Sequence, residues 1–265
     1  MTLFVCISTA EWGWEMKLFR FEKFSKDEKF RLDAIKNKKI FFSAPKKFND
    51  LRDCELDKIF YYEYGQLTFD RIKETVGLLK HNESHPIYKK VLNFFNHLDP
   101  SCRDQNISGL MSALEFCNIK EFILYKIGVC CFSEEISDLM WGYYGDSHRG
   151  YCVEYEVDLK KAKNIKKVVY STERENVFLD ELLFNPEKTI LRVIATKNIQ
   201  WLHEKEWRVY DISGNVFDKA MPLPDGITPV RIITGEKFCR EDKSLLVELG
   251  LDVIAYEKYK NGLRA

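Results

Sequence analysis

The chain has 265 residues, 45% hydrophobic and 31% charged, which fits one large folded domain or a domain with an insertion and excludes disorder. Its 41 basic and 41 acidic residues cancel, so no whole-molecule field holds a polyanion, and nucleic acid would need a local basic groove. No apolar run reaches bilayer length. The eight cysteines form no Cys-x-x-Cys pair and sit mostly among apolar residues, as free thiols of a reducing cytoplasm do.

Residues 1–10 are apolar and short and lack a basic lead; they read as a strand, with a targeting segment as the alternative. Over 17–23, Leu18, Arg20 and Glu22 alternate with Phe19, Phe21 and Lys23, which predicts a strand with Arg20 opposite an aromatic face. Ser25-x-x-Glu28 is a capping box, and Phe30, Ala34 and Ile35 give the following helix its stripe. A strand over 39–45 ends at Pro45, which removes a ladder donor, and Asn49 and Asp50 favour a turn. From about 51 to 127 helical spacing takes over, with Phe69, Ile72, Val76 and Leu79, then Ile87, Val91, Phe94 and Leu98, then Leu110, Leu114 and Cys117.

A strand over 127–133 leads to the stretch around which the chain is organised, 140–155. Trp141, Tyr143, Tyr144 and Tyr151 surround His148, with Gly142, Gly145 and Gly150 as hinges that permit positive φ or close approach. After Gly150, Tyr151, Val153 and Tyr155 share one strand face and Cys152, Glu154 and Glu156 the other. Next come a strand at 168–170, a helix over 178–196 with a break at Pro186, and strands at 204–212 and 230–235. A helix at 244–249 is closed by Gly250, and a last strand spans 252–256. Strands on both flanks of a helical middle predict one α+β domain over 1–265. Its sheet is mostly antiparallel, with a helical insertion at about 51–127.

Several groups have chemical potential. His148 is either a functional imidazole or a core histidine bonded to a carbonyl. On the strand at 204–212, Glu204, Glu206, Arg208 and Tyr210 share a face, with the two carboxylates about 7 Å apart. An adjacent arginine keeps such carboxylates ionised, fit to bind a ribose hydroxyl or stabilise an oxocarbenium ion. The plain alternative is an exposed Glu–Arg pair of small consequence. An inverting glycosidase would draw its two carboxylates from elements facing across a cleft, which this pair does not do. His81 and His85 have helical spacing but lack ligand partners, and Pro86 breaks the helix there, so no metal site is expected. Ser43 and Ser133 lack a nucleophile elbow, and no phosphate loop or Gly-x-Gly-x-x-Gly occurs. Lys46, Lys47, Arg149 and Arg208 are candidates for the edge of an anionic pocket. Asp50, Asp53 and Glu55 are the one dense carboxylate group that a metal-dependent nuclease would use.

Together, Leu18-Phe-Arg-Phe21, Ile40-Phe-Phe-Ser-Ala-Pro45, Phe48-Asn-Asp50, Cys131-Phe-Ser133, Met140-Trp141, Tyr144, His148, Gly150, Trp201 and Glu204-x-Glu206-Trp-Arg208 resemble the bacterial family called domain of unknown function 2971. Asn49-Asp-Leu-Arg-Asp53 departs from it, because the family usually has proline and an aromatic after Asn-Asp. More distantly, the order of these motifs is similar to the ADP-ribosyltransferase fold, whose members split NAD at the nicotinamide–ribose bond. That resemblance implies that Arg20 holds the NAD diphosphate or ribose and that Phe42 and Ser43 border the nicotinamide pocket. It implies that Tyr144 and His148 stack on or orient the ribose, with Trp141 and Arg208 as further cofactor contacts. Glu206 would bind the ribose hydroxyl and favour the oxocarbenium-like transition state. The expected protein is a cytoplasmic, NAD-dependent ADP-ribosyltransferase-like enzyme that needs no metal and no membrane. It would act as a toxin or antiphage effector on nucleic acid or protein, with Arg20, His148 and Glu206 lining one cleft. The alternatives are a non-catalytic nucleotide- or peptide-binding module and a metal-dependent nuclease.

Overall fold

The computed structural model of the chain describes residues 15–50, 52–54, 59–60, 121–173, 175–178, 181, 185–213 and 220–262. In chain order its elements are β1 (Glu15–Glu22), α1 (Lys29–Lys36), β2 (Lys39–Phe41), β3 (Ile59–Phe60), β4 (Gly128–Ser133), α2 (Asp138–Tyr143) and β5 (Tyr151–Asp158). Then come β6 (Ile165–Lys167), β7 (Val169–Ser171), β8 (Val177–Phe178), α3 (Pro186–Ile194), β9 (Thr196–Asn198) and β10 (Glu206–Asp211). The last are β11 (Ala220–Pro222), β12 (Ile227–Thr234), α4 (Lys243–Val247), β13 (Asp252–Ala255) and α5 (Tyr256–Gly262). The fold is α+β with mixed, mostly antiparallel strand pairing. The chain forms two compact units, the first Met1–Ile40, Phe132–Ile165 and Met221–Ala265, the second Phe41–Cys131 and Lys166–Ala220.

In the first unit β5 is central. It pairs antiparallel with β1 from Glu15↔Asp158 to Glu22↔Tyr151, and on its other edge with β12 from Ile227↔Val157 to Thr234↔Tyr151. The β12 register slips between Pro229 and Arg231, where proline cannot donate to the ladder and a bulge absorbs the misfit. β13 lies parallel to β12 at the edge. Buried on both sides, β5 exposes only Glu156, so its alternation separates two interior faces rather than core from water. One face packs Phe19, Phe21, Cys152 and Ile233 against Met140 and Trp141 of α2 and Tyr256 and Tyr259 of α5. Each such large side chain contributes about 1.5–3 kcal/mol by leaving water.

Local signals explain the ends of the helices. The Ser25 hydroxyl accepts from the Asp27 N–H at 3.3 Å and caps the short turn that runs into α1. α1 buries Leu32, Ala34 and Ile35, but Phe30 is 49% exposed, so the stripe is rotated from the one predicted. Pro186 opens α3, since the first helical position needs no N–H, and Glu181 ahead of it is helical too, with non-helical Asn185 between them as the expected break. Gly250, at φ +76°, follows α4.

In the second unit β10 lies between β4 and β6, and the pairs β3–β8 and β7–β9 are parallel. Ile59–Phe60 is thus a strand inside the stretch expected to be helical. Residues 121–126 are helical and bury Phe122 and Ile123. The three expected helices of the insertion, His81, His85 and the strand at 1–10 lie outside the described residues.

Candidate functional site

The 140–155 stretch belongs mostly to the first unit's core. The Ser137 hydroxyl accepts from the Met140 N–H and starts α2. Gly145 and Gly150 serve close approach, not positive φ, and Gly142 serves neither. A Cβ on Gly145 would lie 2.3 Å from Cε3 of Trp141, and one on Gly150 would lie 2.2 Å from the Glu22 carbonyl oxygen. The positive φ values fall on three consecutive non-glycine residues, Asp146 (50°), Ser147 (53°) and His148 (69°). Each costs about 1–2 kcal/mol relative to right-handed backbone. The surrounding bonds fix the turn: Arg149 N–H donates to the Asp146 carbonyl, Gly150 N–H to Gly145, and Lys237 N–H to His148. Gly235 lies so close to the His148 carbonyl oxygen that a Cβ there would be 2.2 Å away.

The imidazole of His148 stacks on Trp141, with ring centres 5.5 Å apart and planes 19° from parallel, and lies 6.1 Å from the Tyr256 ring. Trp141 is buried, edge-on to Phe21 at 5.0 Å. Trp141 Nε1 and His148 Nδ1 are buried with no hydrogen-bond partner among the described residues. Tyr144 is half-buried and packs against the same cluster.

Arg20 belongs to the other face of β1. Phe19 and Phe21 point to the Trp141 side, so alternation sends Arg20 and Glu22 away from it. Arg20 Nε donates to Glu22 Oε1 at 2.6 Å, and Arg31 Nη1 to Glu22 Oε2 at 3.0 Å. The shared cleft expected for Arg20 and His148 is therefore corrected: the pleat of β1 separates them.

The second unit holds a buried ionic network on residues that the sequence offered singly. Arg208 Nε and Nη2 donate to the two Glu206 oxygens at 2.7 and 3.0 Å. Its Nη1 and Nη2 donate to the two Asp53 oxygens at 2.9 and 2.6 Å, and Nη1 also reaches the Ile194 carbonyl at 2.6 Å. Those contacts engage all five N–H groups of a guanidinium, so the cofactor contact expected of Arg208 has no donor left to make it. The Phe48 ring centre lies 5.3 Å from the guanidinium carbon. Lys197 Nζ donates to Glu204 Oε2 at 2.5 Å and Glu206 Oε2 at 3.0 Å, lies 3.5 Å from Asp53 Oδ2, and sits 5.0 Å from the Trp201 ring centre. The Glu206 N–H donates to the Tyr170 hydroxyl at 2.8 Å, fixing the start of β10.

This geometry corrects two readings. Glu204 is not in the strand: it ends the 3-10 turn Ile199–Glu204, and Lys205 at φ +44° turns the chain before β10 begins at Glu206. Both carboxylates nonetheless converge on Lys197, which pattern reading did not single out. Asp53, the candidate metal ligand, is spent on Arg208, and Glu55 lies outside the described residues. Among the described residues no group of three or more His, Cys, Asp or Glu is arranged to hold a metal. Phe42 is buried, and Ser43 exchanges backbone hydrogen bonds with Val129 at 3.0 and 2.9 Å.

The network sets protonation. Burial alone would raise the Glu206 carboxyl, but Arg208 and Lys197 outweigh it and hold the group well below the usual carboxylate range. Burial likewise would lower Lys197, and Glu206 and Asp53 outweigh that and raise it. Burial pushes the Cys54 and Cys131 thiols up, with Asp53 adding to it at Cys54 and Glu206 at Cys131, so neither is a ready thiolate.

A family model described as a protein of unknown function, DUF2971, matches residues 140–209, a span that contains both the His148 turn and the Glu206–Arg208 strand. The match supports the family resemblance carried by those two motifs. No curated protein and no solved structure matches the chain.

Proposed function

We propose that the chain is an NAD-dependent ADP-ribosyltransferase-like enzyme with Glu206 as the carboxylate facing the nicotinamide–ribose bond. The supporting observation is that Glu206 is kept ionised in the interior by Arg208 and Lys197. A fixed carboxylate out of water stabilises developing positive charge far better than one in solvent. In the reaction the bond from ribose C1′ to the nicotinamide nitrogen breaks, and its electron pair leaves with nicotinamide. An acceptor oxygen or nitrogen then bonds to C1′ and gives up its proton. The test is incubation of the purified protein with labelled NAD and candidate RNA, DNA and cell-extract protein. Nicotinamide release with label transferred to one acceptor class is the expected result. A folded protein that neither consumes NAD nor labels any acceptor would overturn the reading.

A second reading, a non-catalytic nucleotide-binding module, is favoured by a different observation. Glu206 accepts twice from Arg208, once from Lys197 and once from the Cys131 thiol, which fills the roughly four acceptor positions of a carboxylate. A ribose hydroxyl could bond to it only if Lys197 turned wholly to Glu204. On this reading the motif holds the second unit together and ligand binding does not depend on the Glu206 charge.

A further inference from the structure

We infer that the first unit carries a docking surface for the phosphate backbone of a nucleic-acid duplex. It is made by the lysine-rich turn after α1 and the lysine-rich turn after β5, which the loop before β12 holds side by side. The inference goes beyond the NAD reading and does not depend on it. The chain as a whole is neutral, so a polyanion is held only where cations gather without their counterions. Lys36, Lys38 and Lys39 are exposed at the end of α1, and Lys160, Lys161 and Lys163 are exposed on the turn that follows β5. Lys161 pairs with Asp158 at 3.0 Å. Lys36, Lys38, Lys39 and Lys163 pair with no carboxylate among the described residues.

Backbone contacts fix the two turns against one loop. The Leu223 N–H donates to the Lys38 carbonyl at 3.0 Å, and the Asp158 N–H donates to the Gly226 carbonyl at 2.8 Å. Gly226, at φ +80°, lies so close to the second turn that a Cβ there would be 2.8 Å from the Lys161 Cβ. From Leu223 to Gly226 the chain reaches at most about 11 Å, so the two sets of ammonium groups share one small face. Duplex DNA presents one charge per about 1.7 Å of axis, and a face of that width meets several phosphates together. Three carboxylates lie near it. Asp158 is taken by Lys161, Asp33 lies a turn back on α1, and exposed Asp225 stands in the loop between the lysine turns, where it opposes an approaching polyanion.

The surroundings select the partner. No large apolar side chain is exposed over 36–39, 158–164 or 222–227. Firm attachment to a membrane surface needs an apolar insertion beside the basic residues, and single-stranded nucleic acid needs aromatic platforms on which bases stack. A duplex needs neither, because its phosphates face outward and lysines hold them without regard to sequence.

The experiment measures fluorescence anisotropy of a labelled DNA duplex of about twenty base pairs, and of its separated strand, with the full chain between about 50 and 200 mM salt. Cosedimentation with phosphatidylcholine vesicles containing phosphatidylserine runs beside it. Wild type is expected to bind the duplex ahead of the single strand and the vesicles. Each phosphate contact contributes about −0.9 to the slope of log affinity against log salt, so a slope of about −3 to −4 is expected. The triple variant Lys36→Gln, Lys38→Gly, Lys39→Gln should bind at least about tenfold more weakly at the low-salt end and lose most of that slope. It should melt near the wild-type temperature, since the three side chains are exposed and Lys38, at φ 51°, sits where glycine is at ease. Asp225→Asn should bind the duplex more tightly, a gain that misfolding cannot mimic. Lys237→Gln with Lys258→Gln, exposed beyond the other end of β12 and about 25 Å away, should change nothing. The surface is overturned by wild type that ignores the duplex, by a control pair that loses as much affinity as the triple variant, or by Asp225→Asn no tighter than wild type. Vesicles bound in preference to the duplex would give the face to a membrane instead and overturn it equally. Duplex binding that needs these lysines, in a protein that never consumes NAD, supports the surface and sinks the enzyme. NAD turnover without duplex binding does the reverse.

Discussion

Arg208 and Asp53, 155 positions apart in the chain, are joined in the interior by a two-pronged ion pair of 2.9 and 2.6 Å. The same guanidinium bridges to Glu206, so one side chain holds two buried carboxylates. Arg208→Met would leave both with Lys197 as their remaining cation, which Glu204 also shares. Removing one partner of a buried ion pair costs about 3–5 kcal/mol, and that loss should appear as a lowered denaturation midpoint in urea. Arg208→Lys should fall between the two, because it keeps the charge and loses the fork. A midpoint unchanged in Arg208→Met would mean the network contributes nothing to the second unit.

The pH dependence follows from the sign of the Glu206 shift. A carboxyl whose folded pKa is depressed contributes stability above its unfolded value, here 4.5, and loses it as pH falls through the folded value. Wild type should therefore lose stability steadily below about pH 4.5. Glu206→Gln should start less stable at neutral pH and show a flatter decline over the same window. Parallel curves, from urea titrations at stepped pH, would contradict the ion-pair assignment.

Glycines of one segment should respond oppositely to the same change. Gly150→Ala places a Cβ 2.2 Å from a backbone oxygen that cannot swing away, and should cost about 1–3 kcal/mol. Gly142→Ala, inside α2 with nothing within 4 Å, should gain about 0.5–1 kcal/mol. Thermal melts of the two variants check the contrast.

Ser147, exposed and at φ 53°, carries backbone strain that glycine would not. Ser147→Gly should stabilise the fold by up to about 1 kcal/mol. A destabilised Ser147→Gly would show that the turn depends on the serine side chain.

Local chemistry was legible in the sequence. Alternation located β1, β5 and β10, Ser25 marked the turn that runs into α1, and Gly250 the end of α4. What pattern could not reach were events set by the whole fold. Pro186 marks a break on paper, but that the chain resumes as helix at once is a matter of packing, seen only in α3. Glu204 and Glu206 keep strand spacing on paper, yet the left-handed Lys205 parts them, and only their common hold on Lys197 brings them together. Nothing near Asp53 points to Arg208, because a pair so far apart is chosen by tertiary packing. Two close carboxylates beside one arginine did carry a usable signal: buried, they required a second cation.

The central claim, that Glu206 acts on NAD and does not only hold the second unit together, is tested most directly by comparing wild type and Glu206→Gln for nicotinamide release and for NAD binding, at a temperature where both are shown to be folded. The account predicts that the variant still binds NAD while its nicotinamide release falls by two orders of magnitude or more, roughly the effect of deleting one electrostatic stabiliser of a transition state. Equal release by the two proteins, or none by either, would contradict it.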